Sequence, residues 1–162
     1  MSTVELSPGD RTHLAEALRI ARETQAEGNK PFGAVLVAAD GRVLATGRNA
    51  AAQTGDPTSH AELDAVRAVA AADRGAVAGA TMFASGEPCP MCAAALVWSG
   101  VGRIVFGTAA ADIRAVAPGP PGFRLPCADV VAASDAILEV VGPALGEEGL
   151  APFREVGNSP AG

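Results

Sequence analysis

The segment TMFASGEPCPMCAAALVWSGVGRIVFG, residues 81–107, decides the fold. Thr81 to Ala84 is a short apolar run that reads as a strand. Pro88 opens a helix that runs to about Ser99, where Gly100 ends it. Arg103 to Gly107 reads as the next strand. A strand, a helix and a strand in succession form the repeating unit of an α/β sheet.

The pattern continues on both sides. Leu14, Leu18 and Arg22, with Ala15, Ala17 and Ala21, have helical spacing from about Asp10 to Glu27, and Gly28-Asn29 stops the run. Phe32 to Ala38 is mostly apolar, Ala39-Asp40-Gly41-Arg42 reads as a hairpin turn, and Val43 to Gly47 as its second strand. Asn49 to Pro57 is a polar loop of small residues. The spacing predicts a helix from about Ser59 to Ala72, with Leu63, Val66, Val69 and Ala70 facing the core. Downstream, Ala115 to Pro126 is a Pro/Gly-rich loop. Ala128 to Ser134 reads as a short helix, Ile137 to Val141 as a strand, and Pro143 to Leu150 as a final helix or turn. The expectation is a three-layer α/β domain over residues 1–156, with 157–162 a disordered tail.

The chain has 162 residues, about half of them apolar, which suffices for one domain with its own core. Its net charge of −6 and pI near 4.8 lack the basic footprint of a nucleic-acid binder. Two of the three cysteines form Cys89-x-x-Cys92 and the third, Cys127, is alone, which suits metal binding in a reducing compartment. The segment Met1 to Asp10 lacks the apolar core of a signal peptide, and no apolar run is long enough to span a membrane. The expected location is the cytoplasm.

Cys89 and Cys92 lie three apart at a helix start, so both sulfurs can reach one ion. The partial positive charge of a helix N-terminus favours their thiolates. His60, at the start of another helix, completes a Cys2His set. Zinc with three protein ligands keeps a fourth position for water. Glu62 is then left over as the carboxylate that can carry the proton of such a water. Two other readings compete: Ser59-x-x-Glu62 is also a capping-box pattern, and a purely structural zinc would take Cys127 or His13 as a fourth ligand. The joint pattern His60-x-Glu62 with Pro88-Cys89-x-x-Cys92 favours chemistry, because it is the signature of zinc deaminases.

On these residues the chain resembles the cytidine deaminase-like superfamily. The likeness runs from Pro31-Phe32-Gly33-Ala34-Val35 to Phe106-Gly107. It is nearest the branch of guanine deaminases and tRNA adenosine deaminases, through Pro31-Phe32-Gly33-Ala34, Gly47-Arg48-Asn49 and Glu87-Pro88-Cys89-Pro90-Met91-Cys92. The resemblance implies a five-stranded mixed sheet of order 2-1-3-4-5 between helical layers, and one Zn2+ per chain. It implies that zinc-bound hydroxide attacks the ring carbon bearing the amino group, with Glu62 as proton shuttle. It also implies a homodimer, and substrate contacts at Asn49, Phe32 and Ala61, with Trp98 and Asp112 as further candidates.

Phe32, Pro90 and Trp98 resemble the guanine deaminase form, and the acidic stretch Ala144 to Leu150 offers no phosphate-binding face. The expected substrate is therefore a small purine base or nucleoside, guanine-type favoured, and not a nucleic acid. The alternatives are tRNA adenosine, cytosine or cytidine. Three features depart from guanine deaminases: Thr108-Ala109-Ala110-Ala111 separates the strand from the nearest acid, Asp112; no tyrosine is present; and Ser85-Gly86 replaces larger residues.

Overall fold

The computed structural model describes residues 4–158. The hairpin forms as expected, with β1 (Gly33–Val37) antiparallel to β2 (Val43–Arg48). β3 (Thr81–Gly86) pairs antiparallel with the other edge of β1, and β4 (Arg103–Thr108) and β5 (Glu139–Val141) follow in parallel. The order is β2-β1-β3-β4-β5, the arrangement the resemblance implies. β1 is buried along its whole length, as a strand covered on both faces must be.

α1 (Pro8–Ala26) starts two residues earlier than the apolar spacing suggests, because its cap extends it. Ser7 Oγ accepts the Asp10 N–H at 3.0 Å and the Asp10 carboxylate accepts the Ser7 N–H at 3.1 Å, with Pro8 at the first helical position. α1 buries Leu14, Ala17 and Ile20 against Val35, Val37, Phe83 and Val105 on one face of the sheet. The other face carries Ala34, Leu36, Met82 and Ile104 under α3 (Ala61–Ala68), α4 (Pro90–Ser99) and α6 (Cys127–Ala132). α2 (Ala51–Thr54) is a single turn inside the expected loop.

Glycines set both helix distances. A Cβ on Gly33 would lie 2.3 Å from the Ala17 carbonyl oxygen, and one on Gly47 would lie 2.0 Å from that of Ala61. Paired residues of neighbouring strands share a face, so Gly33 opposite Arg48 and Gly47 opposite Ala34 serve opposite sides. α1 and α3 thus grip the hairpin from above and below, backbone against backbone.

Several expectations need correction. The second helix ends at Ala68 and not near Ala72. Val69 turns extended and buried, a 3-10 stretch Ala71–Val77 follows, and Ala70 is exposed. The close approach at Gly47 makes small Ala61 and Ala65 face the sheet, leaving Leu63 and Val66 half-buried. α4 begins at Pro90, with Cys89 as its N-cap, so Pro90 and not Pro88 occupies the first helical position. α5 (Ala110–Val116) had no counterpart in the apolar pattern. β5 starts at Glu139, leaving Ile137 fully exposed.

The last helix, α7 (Glu147–Asn158), is displaced from Pro143–Leu150 and contains Pro152. Pro152, Gly149 and Phe153 are buried, and that burial outweighs the propensity penalty of a proline. Of the expected tail, Gly157 and Asn158 end α7, and 159–162 lie outside the described residues. Among the described residues, no helix is long and apolar enough to cross a membrane.

Candidate active site

β2 and β3 are each antiparallel to β1, so they run in the same sense and their C-terminal ends meet at one edge of the sheet. Loops leaving that edge are where α/β sheets hold ligands. One loop leads from Asn49 to His60 at the N-cap of α3. The other leads from Glu87 to Cys89 at the N-cap of α4. Two helix starts therefore converge on one point.

The ligand atoms of His60, Cys89 and Cys92 all lie within 4.8 Å of one another. Cys89 Sγ is 3.5 Å from His60 Nδ1, close to the edge of about 3.6 Å expected for a nitrogen and a sulfur on one tetrahedral zinc. The Cys92 thiol beside it, and then the His60 ring, hold the Cys89 thiol well below the usual thiol range. Cys92 is pushed upward by the Cys89 sulfur and by burial. A cluster that readily exposes a thiolate beside an imidazole nitrogen has the donor chemistry of a zinc site, and the three residues fit that ion. Neither rival fourth ligand joins them. His13 lies against Phe83 on the opposite face of the sheet, ring centroids 5.1 Å apart and tilted by 40°, and Cys127 is buried in the core outside the group.

Glu62 is 4% exposed, in the first turn of α3. It does not close a capping box: the N-cap is His60, and Ser59 Oγ instead donates to Asp64 at 2.9 Å. Burial pushes the Glu62 carboxyl upward, and the neighbouring Cys89 charge adds to it. A buried carboxyl beside a three-ligand set has the chemistry for proton transfer.

The remaining candidates separate. Asn49 is buried; its Oδ1 accepts the Ala51 N–H at 3.2 Å and its backbone N–H donates to Phe32 at 3.1 Å. Phe32 is half-buried, its ring 5.1 Å from that of Phe153 and lying over Gly86. Ala61 has its methyl in the core. Trp98 is 88% exposed at the end of α4 away from Cys89, and Asp112 is exposed in the first turn of α5; the ligand group itself is His60, Cys89 and Cys92.

One residue carries no warning in the pattern beyond its place in the motif. Glu87 accepts the N–H of Ala110 at 2.9 Å and that of Cys127 at 2.8 Å. Phe153, likewise, is brought to Phe32 only by the packing of α7.

A three-ligand group with a buried carboxylate, at the strand ends of an α/β sheet, has the donor set and the acid–base group that a metal-dependent hydrolase uses. Residues 8–108 match the family model of the cytidine and deoxycytidylate deaminase zinc-binding region, and the chain belongs to that family. It is 32% identical over 157 residues to the "Probable cytosine deaminase" of Schizosaccharomyces pombe, covering 95% of this chain and 96% of that one. It is 38% identical over 119 residues to the tRNA-specific adenosine deaminase of Agrobacterium fabrum, covering 72% and 78%. The guanine deaminase of Nitrosomonas europaea shares the fold, with a TM-score of 0.76 at 23% identity over 96% of this chain and 87% of that one. The protein is a hydrolytic deaminase.

Proposed function

We propose that this chain deaminates a purine nucleobase or nucleoside, guanine-type favoured, using zinc held by His60, Cys89 and Cys92. The observation that carries the reading is the buried Glu62 carboxyl beside that ligand set, outside any capping box with Ser59. When bound, the ion supplies the Lewis acidity that activates water. Glu62 takes a proton from the attacking water and delivers it to the amino group, which leaves as ammonia. Asn49, with its carbonyl oxygen occupied by Ala51, turns its amide donor to the base, and Phe32 lies against the ring.

Charge supports a small substrate over tRNA. α7 opens with Glu147 and Glu148, and its one cation, Arg154, is paired with Glu147 at 3.1 Å. No basic face is left on that helix for a phosphate backbone. A second reading, cytosine, is favoured by the likeness to the Schizosaccharomyces pombe protein over nearly its whole length. The reading includes a homodimer, supported by α4, which has no charged residue and turns Met91, Ala94, Ala95 and Trp98 outward at helical spacing. It also includes a single domain over residues 1–156 and a cytoplasmic location, which the three free cysteines support.

The test is ammonia release from guanine, guanosine, adenine, adenosine, cytosine, cytidine and a tRNA anticodon stem, with Glu62→Ala as control. Turnover of purines with the pyrimidines and tRNA silent is expected. Turnover of cytosine alone establishes the second reading, and full activity in Glu62→Ala overturns the assigned shuttle.

A further inference from the structure

Glu87 stands between β3 and the turn that carries Cys89 and Cys92. Three hydrogen bonds hold it. Its N–H donates to the Thr108 carbonyl at 2.8 Å, and its two carboxylate oxygens accept the N–H groups of Ala110 at 2.9 Å and Cys127 at 2.8 Å. Ala110 and Cys127 are the first residues of α5 and α6. The residues before them are Ala109 and Pro126, whose side chains cannot cap, and neither helix has a side-chain cap bond of its own. One carboxylate therefore meets an orphan donor on each of two helices, with the added strength of a charged acceptor.

We propose that Glu87 is a positioning residue for the deaminase site, its carboxylate fixing the metal-ligand turn and the neighbouring wall to one another. Cys89 follows Glu87 through a single residue, Pro88, which is fully buried and has a fixed φ. The clamp on α5 presses Ile113 against Gly86, where the Phe32 ring also rests. The clamp on α6 seats Cys127 in the core cluster it shares with Leu96 of α4. The Pro/Gly-rich segment 117–126 hangs between the two clamped ends, tied once more where Arg114 donates to the Phe123 carbonyl at 3.3 Å. Displacing the Glu87 carboxylate therefore moves the Cys89 sulfur and the Phe32–Ile113 wall together. The inference rests on the three-ligand reading of the site and is independent of which base is the substrate.

Glu87→Gln separates the two bonds. An amide has the same size but one acceptor oxygen, and its NH2 group would face an N–H donor, so one clamp must open. Glu87→Ala opens both. The readouts are zinc affinity by chelator competition, the visible spectrum of the cobalt-loaded protein, amide hydrogen exchange at Ala110 and Cys127, and circular dichroism to establish folding. The folded Glu87→Gln protein is expected to bind zinc about tenfold or more weakly, with shifted cobalt bands and one of the two amides exchanging at least about tenfold faster. Arg114→Ala, which cuts only the tie to Phe123, keeps the wild-type affinity and spectrum. A purely structural role lowers the melting temperature and leaves the folded protein's cobalt bands where they were, which overturns the proposal, as does wild-type zinc affinity. If Glu87→Ala does not fold, Glu87→Gln still decides. Failure of the deaminase substrate panel leaves these readouts untouched, whereas failure of the zinc reading shows as no zinc binding by the wild type.

Discussion

The backbone of Gly47 lies so close to that of Ala61 that a Cβ on the glycine would sit 2.0 Å from the Ala61 carbonyl oxygen and 2.5 Å from the Ala65 nitrogen. That contact determines where α3 begins relative to the sheet, and hence where His60 and Glu62 stand. Both neighbours are backbone atoms and cannot swing aside. Gly47→Ala is expected to cost about 3 kcal/mol, the upper range of overpacking, and to weaken zinc binding by moving His60. Thermal melts and zinc titration of that variant check both effects. An unchanged melting temperature would mean that α3 is not seated on β2.

Glu62→Gln should leave the fold intact, since an amide of the same size and shape replaces the buried carboxyl. Its melting temperature is expected to match or exceed the wild type, and zinc should remain at one per chain. kcat should fall about 10²- to 10⁴-fold, the usual contribution of a general acid–base group. Metal analysis alongside ammonia-release kinetics separates loss of the shuttle from loss of the ion.

Cys92→Ser should abolish stoichiometric zinc, whereas Cys127→Ser should retain it. The second substitution is expected to cost about 1–3 kcal/mol, because it puts a hydroxyl in an apolar core. Burial pushes the Cys127 thiol up to about 12, so at pH 8 it should resist alkylation until the protein is unfolded. Mass spectrometry of the native protein treated with iodoacetamide provides the measurement.

The Asp10–Arg103 pair joins the cap of α1 to the start of β4 at 2.7 Å, with the Asp10 side chain 12% exposed. The Arg103 guanidinium holds the Asp10 carboxyl below the usual carboxylate range. A carboxyl depressed in the folded state contributes stability above its unfolded pKa of about 3.9 and loses it as pH falls through the folded value. Asp10→Asn should therefore cost about 1.5–3 kcal/mol at pH 7, the range for a hydrogen bond to a charged group. The difference from wild type should shrink below about pH 4. Urea melts of both proteins from pH 7 to pH 3 would show the convergence; a constant gap would exclude the linkage.

Trp98 is the one tryptophan and is 88% exposed in the single chain. A homodimer built on the outward face of α4 would cover it. Its emission is expected to shift to the blue as the protein is concentrated, and Trp98→Glu should hold the chain as a monomer in sedimentation. Solvent-like emission from a sedimenting dimer would place the interface elsewhere.

What could be read from the chain alone were features made by neighbours in sequence. The Gly41 turn, the Gly28 and Gly100 stops and the two cysteines three apart depend on contacts within a few residues. With them came the strand–helix alternation, the reaction class and, through the family motifs, the sheet order. Residues 61–68 show the limit of such reading. Leu63 and Val66 have the spacing of a core face, yet Ala61 and Ala65 took it, because Gly47 lets the helix approach closer than large side chains allow. Ser59-x-x-Glu62 has the spacing of a capping box, and only the packing that makes His60 the N-cap and turns Ser59 to Asp64 removes that pairing and leaves Glu62 buried. Glu87 clamping Cys127 across 40 residues, Phe153 meeting Phe32, and Trp98 facing solvent were likewise settled by tertiary structure. The physical reason is one of range: turns, caps and ligand spacing are set by local backbone geometry, whereas which atom a buried carboxylate meets depends on how whole layers pack.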